Sequence, residues 1–191
     1  MKLNGSQQLS IMNRAVFLDR DGVLNKAVVR FGKPYPPLNL SELEIFDCVQ
    51  EALDLLKKSG FLLIVITNQP DVARGIIARE DVEKINMAIR TQLPIDEIRT
   101  CYHDDDDFCN CRKPKPGALL AASEKFGIDL SKSYMIGDRW RDINAGRDAG
   151  CRTILIDYGY SERVPEKYNA TAADLYEAAK IILKENKHGY D

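Results

Sequence analysis

A doubly wound α/β domain, with a mainly parallel sheet between helices, is the fold this sequence predicts. Three observations point to it. Short, continuously apolar runs rich in branched residues recur along the chain, as strands buried on both faces require. Segments with apolar residues at helical spacing lie between those runs. The two kinds alternate from Ala15 to the C-terminal region, the order that lays helices across a parallel sheet.

Taken in order, the first strand is "AVFLD", Ala15 to Asp19, followed by the turn-prone Arg20-Asp21-Gly22. Val49, Ala52, Leu53 and Leu56 mark a helix that stops at Gly60. "FLLIVIT", Phe61 to Thr67, is the strongest strand, and "EDVEKINMAI" fits the next helix. "EIRTCYH" is a weaker strand. "GALLAASEKFG" fits a helix, with Pro116 near its start and Gly127 at its end. "SYMIGD", Ser133 to Asp138, is a strand, "WRDINAGRDAG" a helix and "TILID", Thr153 to Asp157, a strand. Ala172, Leu175, Tyr176, Ala179, Ile182 and Leu183 make a last amphipathic helix. The result is a three-layer, Rossmann-like architecture. Ligands in such sheets bind at the carboxyl ends of strands, and those ends carry Asp19, Thr67, His103 and Asp138.

The 191 residues suit one domain, expected over 14–191, after a polar tail at 1–13. That length buries a full core without cross-links. A net charge of -2 offers no footprint for nucleic acid or an anionic membrane. No apolar run approaches a membrane span, and the tail lacks the core of a secretion signal. A cytoplasmic protein, monomeric by default, is the expectation. Clustered cysteines there read as metal-binding or catalytic rather than disulfide-bonded.

Asp19 and Asp21 lie two apart just past a buried strand. Carboxylates that close repel unless a cation sits between them or one is protonated. A hard ion such as Mg²⁺, held by one or two carboxylates and substrate phosphate oxygens, satisfies the pair. Gly22 permits the tight reversal. An acidic turn is the plain alternative. Thr67 and Asn68, after the strongest strand, offer donors suited to phosphate oxygens, or simply a turn. In "RKPKPG", Pro114 and Pro116 stiffen the chain around Lys113 and Lys115, and a fixed ammonium neutralises charge on a transferring phosphoryl group. A solvated basic loop is the alternative. Asp138 follows the fourth strand, and Asp142 lies one helical turn along if a helix starts near Arg139. Asp138 would complete an oxygen-ligand metal site, or serve only as a helix cap.

Cys101-x-His103 and Cys109-x-Cys111 supply three thiolates and an imidazole, the closed set of structural zinc. A redox pair at Cys109 and Cys111, or plain surface thiols, are the alternatives. The segment between "EIRTCYH" and "GALLAASEKFG" has no predicted structure, so a metal clip would fix the cations it carries. Asp104–Asp107 are expected to form a solvated tip facing away from an anionic substrate, not a calcium site. Cys48 and Cys151 read as small core residues.

The ordered set D-x-D, Thr, K-P and G-D-x-x-x-D, from Asp19 to Asp142, resembles the haloacid dehalogenase (HAD) superfamily of aspartate-nucleophile phosphatases. The likeness covers nearly the whole chain. It implies that Asp19 forms an aspartyl-phosphate and that Asp21 is the general acid and then base. Thr67 and Asn68 would hold phosphoryl oxygens, and Lys113 would balance charge. Mg²⁺ would bind Asp19, the Asp21 carbonyl and Asp138, with Asp142 orienting that shell. C-x-H followed by C-x-C-R-K-P is similar to the zinc-containing branch of heptose-1,7-bisphosphate 7-phosphatases and histidinol-phosphate phosphatase domains. "DRDGVLN" and "TNQPDVARG" resemble the heptose enzymes' motifs. Pro70-Asp71 stands where that family has Ser-Gly, and Arg139 where it often has lysine.

No large cap domain is visible between Asp21 and Thr67 or between Thr67 and Lys113, so short loops would set specificity. Arg74, Arg112 and Arg139 are candidates for a second phosphate, with plain surface roles as the alternative. The resemblance implies a small phosphorylated metabolite, D-glycero-D-manno-heptose 1,7-bisphosphate losing its 7-phosphate. Histidinol phosphate is the alternative substrate, and a non-catalytic zinc-stabilised binding module the alternative of another class. Repair of nucleic-acid 3′-phosphates is disfavoured by the charge balance.

Overall fold

A computed structural model describes residues 12–30 and 33–188; most of the expected N-terminal tail lies outside them. The strands are β1 (Arg14–Leu18), β2 (Val28–Arg30), β3 (Lys33–Tyr35), β4 (Phe61–Asn68), β5 (Glu97–Cys101), β6 (Tyr134–Gly137), β7 (Arg152–Ile156) and β8 (Ala170–Ala172). The α-helices are α1 (Val49–Lys58), α2 (Arg79–Gln92), α3 (Gly117–Phe126), α4 (Trp140–Ala149) and α5 (Leu175–His188). Six strands form one sheet in the order β5-β4-β1-β6-β7-β8, and every pair in it is parallel. β2 and β3 form a separate antiparallel ribbon.

Alternation along the strands sorts side chains between two cores. Val16, Leu18, Leu63 and Val65 pack with Leu53 of α1, Ile85 of α2 and Ile182 of α5. Ala15, Phe17, Ile64 and Ile66 face the other way, onto Leu119 of α3 and Ala145 of α4. Burial on both faces explains why these strands read as unbroken apolar runs. No helix among the described residues is long and apolar enough to cross a membrane.

Three features differ from the sequence expectations. Ala172 belongs to a strand, not to the last helix. It pairs with Ile156, and the Asp174 carboxylate accepts the Glu177 N–H at 2.8 Å, so a side-chain cap starts the helix only after it. The β2–β3 ribbon was not anticipated; strands of three residues, one containing Pro34, are too short to show a period. The metal-loop segment also has some structure of its own, a 3₁₀ turn at Asp105–Asp107.

β1 is the switch point of the sheet. The chain runs outward from it through β4 and β5, then crosses to β6 on its other side. A crevice opens at such a point beyond the strand ends, and Asp19, Thr67 and Asp138 stand there.

Candidate active site

The site is built on the ends of the three central strands. The Asp19 N–H donates to the Ile136 carbonyl at 2.9 Å, tying the end of β1 to β6. Asp19 Oδ1 accepts from the Arg20 N–H at 2.8 Å and from Lys113 Nζ at 2.7 Å. The same ammonium lies 2.6 Å from Asp142 Oδ1 and donates to the Ile66 carbonyl at 2.6 Å. Asp142 sits one turn into α4, and its Oδ2 accepts the Arg139 N–H at 3.0 Å. Asp138 is different: both its carboxylate oxygens are buried without a hydrogen-bond partner.

Oxygens of Asp19, Asp138 and Asp142 all lie within 4.8 Å of one another. Gly22, at φ +92°, closes the turn over this cluster; a Cβ there would stand 2.0 Å from Asp138 Oδ2. Burial, then the Asp142 charge, pushes the Asp19 carboxyl up to about 6 although Lys113 opposes the shift. Asp138 is held well above the usual carboxylate range by burial, then by Asp19 and Asp142. Burial alone would lower the Lys113 ammonium, but Asp142 and Asp19 raise it. Asp19 and Asp142 thus share one buried ammonium, while Asp138, near the Tyr160 hydroxyl, pairs with no cation among the described residues. The set lacks positive charge, and a divalent cation with oxygen ligands fits it.

Asp21 stands apart from that cluster. Its Oδ1 accepts from Arg20 Nε at 3.2 Å and Asn25 Nδ2 at 3.0 Å. Its Oδ2 accepts from Arg20 Nη2 at 3.0 Å and Gln69 Nε2 at 2.8 Å. Arg20 is fully buried and is anchored by Asn86 at 2.9 Å, which in turn donates to Thr100 at 3.0 Å. Gln69 Nε2 also donates to Thr67 Oγ1 at 2.9 Å, which leaves the Thr67 hydroxyl hydrogen for another acceptor. Sequence reasoning missed Arg20, Asn25, Gln69 and Asn86. The only signal was position: Arg20 is the middle residue of D-x-D, Asn25 lies four residues past Asp21, and Gln69 follows Thr67-Asn68.

Asn68 uses both ends of its amide on one residue. Its Nδ2 donates to the Lys113 carbonyl at 2.9 Å and its Oδ1 accepts the Lys113 N–H at 3.1 Å. The clamp delivers a lysine 45 residues away to the end of β1. Lys115 points elsewhere, donating to the Phe108 and Cys109 carbonyls.

Two connected clefts open above these groups. The inner one, about 60 Å³, is lined by Asp19, Asp21, Lys113 and Asp142 below and by Pro34 and Tyr35 of the ribbon, with Pro36 just past it, above. The outer one, about 260 Å³, is lined by Arg74, Arg112, Arg139 and Arg141 among acidic residues. Arg141 was not singled out in the sequence, although it lies two residues past Arg139. Arg139 is forked by Glu162, with Nε–Oε2 at 2.9 Å. The expectation that Asp104–Asp107 face away is wrong for two of the four. Asp104 pairs with Arg74, and Asp105 with Arg112 and Arg141. Attraction to these guanidiniums outweighs the repulsion from an anionic site that charge counting on the loop alone suggested.

Cys101, His103, Cys109 and Cys111 converge. Cys111 Sγ lies 3.4 Å from Cys101 Sγ, 3.5 Å from Cys109 Sγ and 3.4 Å from His103 Nδ1. Cys101 Sγ lies 3.6 Å from His103 Nδ1 and 3.7 Å from Cys109 Sγ. Zn–S bonds of about 2.3 Å and a Zn–N bond of about 2.0 Å in a tetrahedron imply edges of about 3.5–3.8 Å. The four donors therefore fit zinc. All five cysteines are free thiols. Cys151 is buried beside β7 and its thiol is pushed up to about 12 by that burial. Cys48, partly buried, packs against the core at the start of α1.

Comparison with known proteins agrees with this geometry. A HAD-hydrolase-like family model matches residues 110–178. D-glycero-β-D-manno-heptose-1,7-bisphosphate 7-phosphatase of Escherichia coli is 35% identical over 185 residues, covering 87% of this chain and 93% of that one. The D-glycero-D-manno-heptose-1,7-bisphosphate 7-phosphatase of Chlorobaculum tepidum is 32% identical over 187 residues, covering 86% and 92%. Among solved structures, D,D-heptose 1,7-bisphosphate phosphatase from B. bronchiseptica, complexed with magnesium and phosphate, superposes with a TM-score of 0.76 at 27% identity. It covers 90% of this chain and 99% of that one.

Proposed function

The chain belongs to the heptose-1,7-bisphosphate 7-phosphatase family of HAD-like hydrolases, and from that premise we propose that it removes the 7-phosphate of D-glycero-D-manno-heptose 1,7-bisphosphate through an aspartyl-phosphate on Asp19. The observation that carries the reading is the partnerless Asp138 carboxylate, buried beside Asp19 and the Lys113 ammonium.

Asp19 Oδ1 is occupied by Lys113 and the Arg20 N–H, so Oδ2 is the oxygen that attacks phosphorus. The bond from Asp19 to phosphorus forms as the ester P–O bond breaks. Asp21, at the wall of the inner cleft, gives up part of the four-donor set it holds at rest, takes up a proton and passes it to the departing alkoxide. Asp21 then takes a proton from water as that water's oxygen displaces Asp19 and releases phosphate. One residue serves both half-reactions because the second reverses the proton transfer of the first. The Thr67 hydroxyl donates to a phosphoryl oxygen. Lys113 offsets negative charge that builds in both transition states. Asp19, the Asp21 carbonyl and Asp138 would hold Mg²⁺, which when bound draws phosphoryl charge toward itself and lets the carboxylates approach the substrate dianion. Asp142 holds Lys113 and the start of α4 in place.

A panel of sugar bisphosphates, sugar monophosphates and histidinol phosphate, assayed for phosphate release, tests this reading. The heptose bisphosphate is expected to lead, and removal of Mg²⁺ to abolish release. Histidinol phosphate leading would move the assignment to the other zinc-containing branch. Turnover unaffected by metal removal would sink the mechanism.

The cysteine–histidine cluster is assigned to structural zinc that fixes the segment carrying Arg112 and Lys113. Purified protein is expected to hold about one zinc per chain by elemental analysis. Stripping the zinc should lower stability and Tm measurably, reversed by Zn²⁺ and not by Mg²⁺. A metal-free preparation with an unchanged melt would remove the assignment.

A further inference from the structure

Every guanidinium of the outer cleft is met by a carboxylate, and two of those carboxylates are neighbours in sequence on the metal-loop segment. Asp104 takes a two-bond fork from Arg74, with Nε–Oδ2 at 2.6 Å and Nη2–Oδ1 at 2.7 Å. Asp105 Oδ1 is shared between Arg112 Nε at 2.9 Å and Arg141 Nη1 at 3.2 Å. We propose that Asp104 and Asp105 are positioning residues that hold Arg74, Arg112 and Arg141 ready for the distal phosphate of a bisphosphate substrate. The proposal rests on the phosphatase reading above and adds the residues that select substrates with two phosphates.

The donors left over decide between positioning and competition. Arginine has five N–H donors in a rigid fork. Asp105 engages the Nε edge of Arg112, and Asp104 is 3.8 Å from its Nη2. Nη1 remains, buried and without a partner, in a residue only 8% exposed. A buried N–H without an acceptor is costly, and a small shift of the Arg112 side chain, which lines the cleft, would bring Nη1 to a phosphate oxygen there. At Arg112 the carboxylates thus leave one edge of the guanidinium unused, whereas at Arg74 Asp104 takes Nε and Nη2 and Asp71 takes Nη1 at 3.1 Å, so Arg74 meets a ligand with the second N–H of each terminal nitrogen.

The carboxylates are themselves fixed. Asp107 accepts the Asp104 N–H at 2.7 Å, and Asp104 accepts the Asp105 N–H at 2.8 Å. The turn lies between His103 and Cys109, two of the proposed zinc ligands. An arginine already held loses less freedom on binding than a free one. The acidic pairing also keeps the cleft near neutrality, so anions in general are not drawn in and selection falls to geometry.

The test compares Asp105→Ala and Asp104→Ala with the parent on a sugar bisphosphate and on the same sugar carrying only the phosphate that is cleaved. KM for the bisphosphate is expected to rise about tenfold in Asp105→Ala, with kcat kept and KM for the monophosphate moved less than about twofold. Zinc content and Tm are read alongside. Equal KM changes on both substrates would make the role merely structural, and a fall in KM for the bisphosphate would make Asp105 a competitor; either overturns the proposal, as does no change. Calorimetric titration of the bisphosphate into Asp19→Asn protein, with and without Asp105→Ala, separates two failures. Binding that weakens with Asp105→Ala in a protein whose parent releases no phosphate leaves the positioning intact and removes the reaction. Turnover as proposed with binding indifferent to Asp105 does the reverse. Absence of any bisphosphate binding removes both.

Discussion

Asp19→Asn is expected to lower phosphate release by at least about 10³-fold while leaving the fold in place. The amide cannot act as the nucleophile, so no covalent intermediate forms. Its oxygen still accepts from Lys113 and the Arg20 N–H, the two bonds made by Oδ1, so the side chain keeps its position. The exchange also removes one of three crowded buried carboxylates, whose own repulsion helps push Asp19 up to about 6. Tm without metal should therefore stay level or rise slightly. Steady-state phosphate release and a thermal melt, each with and without Mg²⁺, check both halves. Full turnover in the variant would place the nucleophile elsewhere and end the covalent route.

Lys113→Met is expected to abolish turnover and also to destabilise the protein strongly. The ammonium is 2% exposed and lies 2.7 Å from Asp19 and 2.6 Å from Asp142. Removing one partner of a buried ion pair leaves the other charge uncompensated, at a cost of about 3–5 kcal/mol. For a chain of this length that corresponds to a fall in Tm of roughly 6–20 °C. Methionine fills much of the lysine's volume, so lost charge rather than a cavity dominates. Because the acids then have no ammonium, added Mg²⁺ should raise Tm more in the variant than in the parent without restoring phosphate release. Thermal melts across a magnesium series, paired with the assay, give the answer. Recovery of both by magnesium would reduce Lys113 to a structural counter-ion.

The fold was legible because its strands are buried on both faces. Phe61–Asn68 and Tyr134–Gly137 read as unbroken apolar runs since helices cover each side. Asp19 and Asp138 were legible for the same reason, as the first acids beyond such runs. Asp142 could be placed because a helix fixes the direction of a residue one turn in. Residues that meet only after the sheet has formed were not legible. Gln69 reaches Asp21 across 48 positions and Asn86 reaches Arg20 across 66, and no local pattern encodes either meeting. The aspartate run was misread for a related cause. Its partners Arg74 and Arg141 lie 30 and 36 positions from the acids they bind. The loop's own charge could not reveal them.

The order of strands separates two kinds of inheritance. Asp19, Thr67 and Asp138 follow or end β1, β4 and β6, three adjacent strands in the middle of the sheet, where almost any exchange disturbs both cores. The ribbon, the turn after β4 and the tip at Asp104–Asp107 are connections with fewer neighbours to satisfy, whereas Lys113, farther along the segment that leaves β5, is held as tightly as the strand ends. Descendants of such a protein can therefore drift toward new metabolites by revising connections while the bond-breaking groups stay as they are. The same division tells an engineer where to build a library and which positions to leave untouched.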